Sequence, residues 1–373
     1  MERPIDIIVS GHLCLDLLPQ MDHLRLQALA SPGQLFEVGP IGISTGGSVS
    51  NTGLALHRLG VNVRLLSSVG DDQIAHLIVA FLRSRDPSLT EFIRVKEGQS
   101  SSYTLVLSPQ RVDRMFLQYA GTNAAFSSDD IDYGIVSTAK LFHLGYPPLL
   151  PALIADDGVG LAHLFARAKQ VGVVTSLDMS LPDPDGVGGQ INWRKLLERT
   201  LPHVDIFIPS LEEILFMLRR GDYDRWRDQI PDSVSQAYLE SLLGEILDIG
   251  ASAVVGIKLG EYGLYVRTGS ADSLSRLAQL PIRVDQWADR QVWHPAFAVN
   301  VVGTTGAGDS AYAGFLTALL KGLSVEDAVR WACAVGACNV EAVDSTSGVQ
   351  PWDVTQHRLD AGWDVLPHRI RQT

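Results

Sequence analysis

The stretch AFAVNVVGTTGAGDSAYAGFLTALLKGLS, Ala296 to Ser324, reads as a strand, a glycine turn and a helix. Ala311, Tyr312, Phe315, Leu316, Leu319 and Leu320 recur at the spacing of one apolar helical stripe, and Gly322 closes the helix after Lys321. Gly303, Gly308 and Ser310 also fit the phosphate-cradling pattern G-x-x-x-x-G-K-[ST] at every fixed position but one. Where that pattern has a lysine, this chain has Asp309. Gly306, Ala307 and Gly308 leave backbone N–H groups unobstructed at a helix N-terminus, an anion site made of backbone and helix dipole. Such a site needs no lysine. A carboxylate in the first turn is electrostatically comfortable, and a helix cap is the plain reading of an aspartate there. The glycines in front of it support another reading. The cradle holds a phosphoryl group in flight, and Asp309 is the base that takes the proton of an attacking hydroxyl.

Outward from this turn, short β-branched runs alternate with helical patterns. IDIIVSG from Ile5, VRLLSSVG from Val63, AKLFHLG from Ala139, GVVTSLD from Gly172, VDIFIPS from Val204 and SAVVGIKLG from Ser252 read as strands. SVSNTGLALHRLG, GLAHLFARAKQVG and SQAYLESLLGEILDIG read as helices between them. The alternation predicts a parallel α/β sheet with helices on both faces, and ligands at the carboxyl ends of its strands. Residues 12–46 and 98–121 break the rhythm, because GQLFEVGPI, SSYTLVLS and RMFLQYAG read as antiparallel strands of one small β subdomain. A lid over a cleft and an edge extension of the main sheet both fit that pattern. The polar segments 219–233 and 270–297 read as surface loops.

Composition narrows the function. Thirty basic residues against 42 acidic ones leave a net charge of −12, which argues against a nucleic-acid or anionic-membrane partner. Cys14, Cys333 and Cys338 are too few and too scattered for a disulfide framework or a zinc site, so a reducing, cytoplasmic setting is expected. The opening residues show no secretory signal, and no apolar run is long enough to predict a membrane span. Two rival motifs fail on context. Gly306-x-Gly308-x-x-Ala311 matches a dinucleotide fingerprint, yet no strand ending in an acidic residue follows it at the required distance. GISTG, Gly42 to Gly46, matches a nucleophile elbow, but Ser44 lies in the β excursion and not at a strand-to-helix turn.

TTGAGDSAYAGF, Thr304 to Phe315, resembles the C-terminal signature of the ribokinase-like (PfkB) carbohydrate kinases. GGSVSNTGLALHRLG, from Gly46, with SVGDD after it is similar to their N-terminal signature, and the resemblance spans nearly the whole chain. It implies one ribokinase-like domain over 1–373, a doubly wound and mostly parallel sheet flanked by helices, with 12–46 and 98–121 as its β-sheet lid. It implies Asp309 as catalytic base, Gly306, Ala307 and Gly308 as anion hole, and Asp16, Gly46, Gly47 and Asn51 as sugar-binding residues. Glu213, in VDIFIPSLEEI, matches a glutamate that organises magnesium and phosphate. GIKLGEYGLYV places Lys258 and Gly260 beside ATP. The family usually has Thr or Ser at the position of Lys258, which either reaches the phosphates or points into solvent. The resemblance puts Cys333 on a helix bordering the adenine, although a small core residue is the plainer account of it. Two positions depart from the pattern. Ser210 replaces the asparagine of N-x-x-E, and Gly303 replaces an aspartate that feeds a monovalent-cation site. The implied activity is ATP- and magnesium-dependent phosphorylation of a sugar or polyol hydroxyl, expected to be a primary alcohol, by an enzyme that often pairs through its lid. A nucleoside kinase and a non-catalytic sugar- or nucleotide-binding regulator are the alternatives on the same fold.

Overall fold

The computed structural model describes residues 3–21, 23–25, 32–110, 115–226, 234–250, 253–367 and 370. Its central strand, β1 (Ile5–Gly11), is apolar on both sides, with Ile7 and Val9 in one core and Ile8 in the other. That split follows from the two-residue period of a strand. The lid strands β2 (Cys14–Pro19) and β3 (Ile41–Gly46) come next, then β4 (Val63–Gly70) and β5 (Phe92–Lys96) of the main sheet. Strands β6 (Tyr103–Leu107) and β7 (Met115–Tyr119) return to the lid. The main sheet continues with β8 (Ala139–Gly145), β9 (Val174–Asp178), β10 (Ile206–Phe207), β11 (Val254–Lys258), β12 (Leu264–Thr268) and β13 (Gln291–His294).

Its order is β13-β12-β11-β10-β9-β8-β1-β4-β5, parallel except where β12 pairs with β11 and β13. Helices Ser48–Arg58, Gln73–Arg85, Ala307–Leu320 and Val325–Asn339 pack on one face, and Pro151–Gln170, Trp193–Thr200, Leu211–Leu218 and Gln236–Ile249 on the other. The connections leave β1 in one direction and β8 in the other. Their carboxyl ends, Gly11 and Gly145, are register partners at this switch point, where open α/β sheets bind ligands.

The excursions form a separate sheet in the order β3-β2-β6-β7, so they are not an edge extension of the main one. Four expectations need correction. The two hairpins are antiparallel as expected, but β2 and β6 that join them are parallel. The strand expected over GQLFEVGPI begins only at Ile41, because Pro40 has no N–H to continue the ladder. The strand expected before the glycine turn is not one: β13 stops at Pro295, and Phe297 is buried by stacking on Trp363 at 4.6 Å. Segment 270–297 is no surface loop, since it contributes β13 and the fully buried Trp287, whose indole donates to the Leu323 carbonyl at 2.9 Å. In 219–233, Arg220–Trp226 is a helix with no buried residue, and 227–233 lies outside the described residues.

Candidate active site

The helix Ala307–Leu320 starts at the switch point. Gly306 caps it with φ +74, and a Cβ there would meet the Ser345 carbonyl at 2.4 Å. Only glycine makes that turn against that neighbour. First-turn N–H groups have no partner within a helix. Contrary to expectation, the Ala307 N–H is not left unobstructed, because it turns back to the Thr304 carbonyl at 3.2 Å. At Gly308 a Cβ would stand 3.5 Å from Lys258 Nζ, so an ammonium overhangs the cradle.

Asp309 does not cap the helix with its side chain. It is buried, and its Oδ2 accepts from Asn51 Nδ2 at 3.0 Å and from the Tyr146 hydroxyl at 2.6 Å. Its Oδ1 accepts from Thr52 Oγ1 at 3.2 Å. Burial raises its pKa, against the hydrogen bond from Tyr146, the charge of Lys258 and the bonds from Asn51 and Thr52. The result is an oriented carboxylate with a raised proton affinity, as a general base requires.

Asn51 Oδ1 is buried without a hydrogen-bond partner among the described residues, and so is His12 Nδ1. Burial also pushes the His12 imidazole down to about 4, which keeps it neutral. Gln118, from the lid strand β7, brings its Nε2 to 2.6 Å from His12 Nε2 and ties the lid to the end of β1. Asp16 lies on β2, where Cys14 Sγ donates to its Oδ1 at 3.3 Å. Burial raises its pKa to about 6, with Cys14 and Thr104 opposing. A Cβ on Gly46 would meet Asp16 Oδ2 at 2.2 Å, and one on Gly47 would meet the His12 carbonyl at 2.4 Å. The backbone itself demands glycine at 47, where φ is +83, whereas glycine at 46 leaves room for the Asp16 carboxylate. Among the described residues no hydrogen bond joins Asp16 to Asn51 or Asp309.

On the other side of Asp309 lies a cavity of about 490 Å³, lined by Tyr146, Ser210, Glu213, Lys258 and Gly308 among others. A second, apolar cavity of about 450 Å³ shares Lys258, Gly260 and Gly308 with it and continues past Ala307, Phe297 and Cys333. A polar chamber joined to an apolar slot suits a triphosphate and a base. Cys333 faces that slot, and its Sγ donates to the His294 carbonyl at 3.4 Å. Burial pushes its thiol up to about 12, so it is a neutral packing group.

The helix Leu211–Leu218 opens with a capping box. Ser210 Oγ accepts from the Glu213 N–H at 3.4 Å, and Glu213 Oε2 accepts from the Ser210 N–H at 2.7 Å. Serine at 210 thus fixes Glu213 at the chamber wall, a motif legible in SLEE. Lys258 does not point into solvent: its Nζ lies 2.6 Å from Asp178 Oδ1, with its side chain 11% exposed and that of Asp178 fully buried. Sequence reasoning missed Asp178, Tyr146, Thr52, His12 and Gln118. Asp178 and Tyr146 end or follow parallel strands, so the rule that ligands gather at the carboxyl ends of such strands would have found both.

A family model for the pfkB family carbohydrate kinases matches residues 6–352. The chain is 26% identical over 317 residues to a 2-dehydro-3-deoxygluconokinase of Bacillus subtilis, covering 85% of this chain and 87% of that one. It is 25% identical over 346 residues to a probable chloroplastic fructokinase-6 of Arabidopsis thaliana, covering 90% and 77%. The structure of Arabidopsis thaliana ribokinase complexed with ribose and ATP shares the fold, with a TM-score of 0.71 and 18% identity over 96% of this chain and 99% of that one. This chain belongs to the pfkB family of carbohydrate kinases. It is a phosphotransferase that uses ATP and has an alcohol group as acceptor.

Proposed function

We propose that the protein transfers the γ-phosphoryl group of ATP to a primary alcohol of a sugar or related polyol, with Asp309 as base. The observation that carries this reading is the Asp309 carboxylate, buried and held by three side chains at the cradle of Gly306 and Gly308. The acceptor oxygen bonds to the γ-phosphorus as the bond to the bridging oxygen of ADP breaks, and the hydroxyl proton goes to Asp309. Asn51 orients the base through Nδ2, and its unpartnered Oδ1 is left to accept from a substrate hydroxyl. Asp16 accepts from further hydroxyls on the lid side. Tyr146 holds Oδ2 until the acceptor hydroxyl replaces it.

Magnesium fits this site as a companion of the nucleotide. Among the described residues no group of three possible ligands is gathered, while Glu212, Glu213 and Glu261 line the chamber. That donor set suits an ion that keeps several waters and takes its other ligands from phosphate. When bound, it neutralises charge on the β- and γ-oxygens. A cytoplasmic setting agrees with three free cysteines. Among the described residues no helix is long and apolar enough to cross a membrane.

An ADP-release screen tests the reading, with 2-dehydro-3-deoxygluconate, fructose, ribose, other polyols and nucleosides as acceptors. Turnover with a sugar or polyol supports it. Turnover with nucleosides alone makes the protein a nucleoside kinase, and none with any acceptor leaves a binding protein.

Asp16→Ala is expected to raise the acceptor KM with little change in kcat, because the carboxylate holds hydroxyls equally in ground and transition states. As Asp16 titrates at about 6, the wild-type acceptor KM should climb below that pH as the acceptor-only carboxylate gains a proton. An unchanged KM in the variant removes Asp16 from the substrate site. Gly303 brings only backbone to the position of the family's aspartate. Potassium, titrated against tetramethylammonium at constant ionic strength, is therefore expected to change the rate little. A severalfold saturable rise would show the cation site intact without that carboxylate.

A further inference from the structure

The phosphate-cradle pattern lacks its lysine in sequence, yet the structure brings one to the same place from 51 positions earlier, the difference between 309 and 258. Lys258 ends β11, and its side chain lies along Gly308: a Cβ there would be 3.5 Å from Nζ and 3.7 Å from both Cδ and Cε. Its neighbour Asp178 ends β9, two strands away in the sheet, and accepts one ammonium hydrogen at 2.6 Å through Oδ1. Asp178 Oδ2 is buried and has no hydrogen-bond partner among the described residues. The Tyr312 ring closes one side of the ammonium, its centroid 5.7 Å from Nζ. Lys258 also lines both the polar chamber and the apolar slot.

A lysine held by a single carboxylate keeps two N–H donors for another acceptor. Burial acts to lower the pKa of Lys258, but the charges of Asp178, Glu213 and Asp309 outweigh it, and the group stays an ammonium. Burial raises the pKa of Asp178 to about 7, with the charge of Lys258 opposing, so Asp178 is the less firmly ionised partner of the pair. A buried pair of this kind is weak evidence for stability, because desolvation offsets most of the attraction. Its position over Gly308 is what a structural pair leaves unexplained.

We propose that Lys258 is a catalytic residue, whose ammonium, held over Gly308 by Asp178, contacts the phosphoryl group in transfer and supplies the cation that the loop itself lacks. Asp178 is its positioning residue. The proposal rests on the kinase reading above and goes beyond nucleotide affinity. Charge spreads over the three equatorial oxygens as the phosphorus leaves ADP for the acceptor, and a fixed cation near Gly308 meets it there without reorganising.

Lys258→Met alone would leave Asp178 buried and unpaired, so the deciding variant is Lys258→Met with Asp178→Asn, which removes both charges. Three measurements are made on the full chain: Tm, the Kd for ATP with magnesium, and kcat at saturating ATP and the best acceptor. The expected result is a folded protein with Kd within about tenfold of wild type and kcat lower by about 10²–10³, the usual effect of losing one preorganised donor. In Lys258→Ala, ethylammonium is expected to restore part of kcat, which a purely structural ion pair would not allow. A double variant within fivefold of the wild-type kcat, or a loss confined to the ATP KM, overturns the assignment. Absence of turnover by the wild type with every acceptor overturns the kinase reading, and this inference with it.

Discussion

Asp309→Asn is expected to lower kcat by about 10²–10⁴, the usual contribution of a positioned base, while folding and ATP binding stay nearly unchanged. The hydrogen-bond pattern explains why the fold survives. The asparagine carbonyl can take the place of Oδ2, still accepting from Asn51 and Tyr146, and its amide then faces Thr52, whose hydroxyl can accept as well as donate. Burial already disfavours the ionised form of Asp309, so removing the charge relieves a desolvation cost. The check is kcat at saturating ATP and acceptor, beside the Tm and the ATP Kd. A variant that keeps more than half the wild-type rate would show that another group takes the proton.

Gly306→Ala should cost about as much in rate for a different reason. An alanine at φ +74 is disfavoured by roughly 1–2 kcal/mol, and its Cβ would stand 2.4 Å from the Ser345 backbone carbonyl. That carbonyl cannot rotate away like a side chain, so the turn itself must move. Displacing an N–H donor from a developing anion typically costs about 10²–10³ in kcat. The expected outcome is a loss of that order with a small fall in Tm. Gly308→Ala is the instructive partner, because its Cβ would make only an ordinary contact at 3.5 Å with the end of a flexible lysine. It should keep the wild-type Tm and lose rate only by crowding the cradle. If Gly306→Ala turns over like the wild type, the loop at 306–308 is not where the transferred charge is held.

Much of the framework was legible because it depends on local pattern. The runs at Ile5, Val63, Ala139 and Gly172 became parallel strands, and the glycine turn before Asp309 became a helix N-terminus. Apolar segments misled where length and period agree with a strand but packing decides. AFAVN is apolar because Phe297 stacks on Trp363, and Trp287 sits in the core although Asp285, Asp289 and Arg290 lie within three residues of it. Neither fact has a signature at short range.

By itself the sequence determined the sheet's alternation, the glycine turn at Gly306 to Gly308 and the carboxylate in the helix's first turn, because backbone conformation and helix polarity act over a few residues. Tertiary structure alone decided what surrounds that carboxylate. Asn51 and Thr52 reach it across more than 250 positions, and Tyr146 across 163. It decided the answer to the missing lysine too, since Lys258 and Asp178, 80 positions apart, meet over Gly308 only when β9 and β11 take their places in the sheet. Electrostatic contacts depend on distance in space and on exclusion of water, and one strand of residues read in order carries neither.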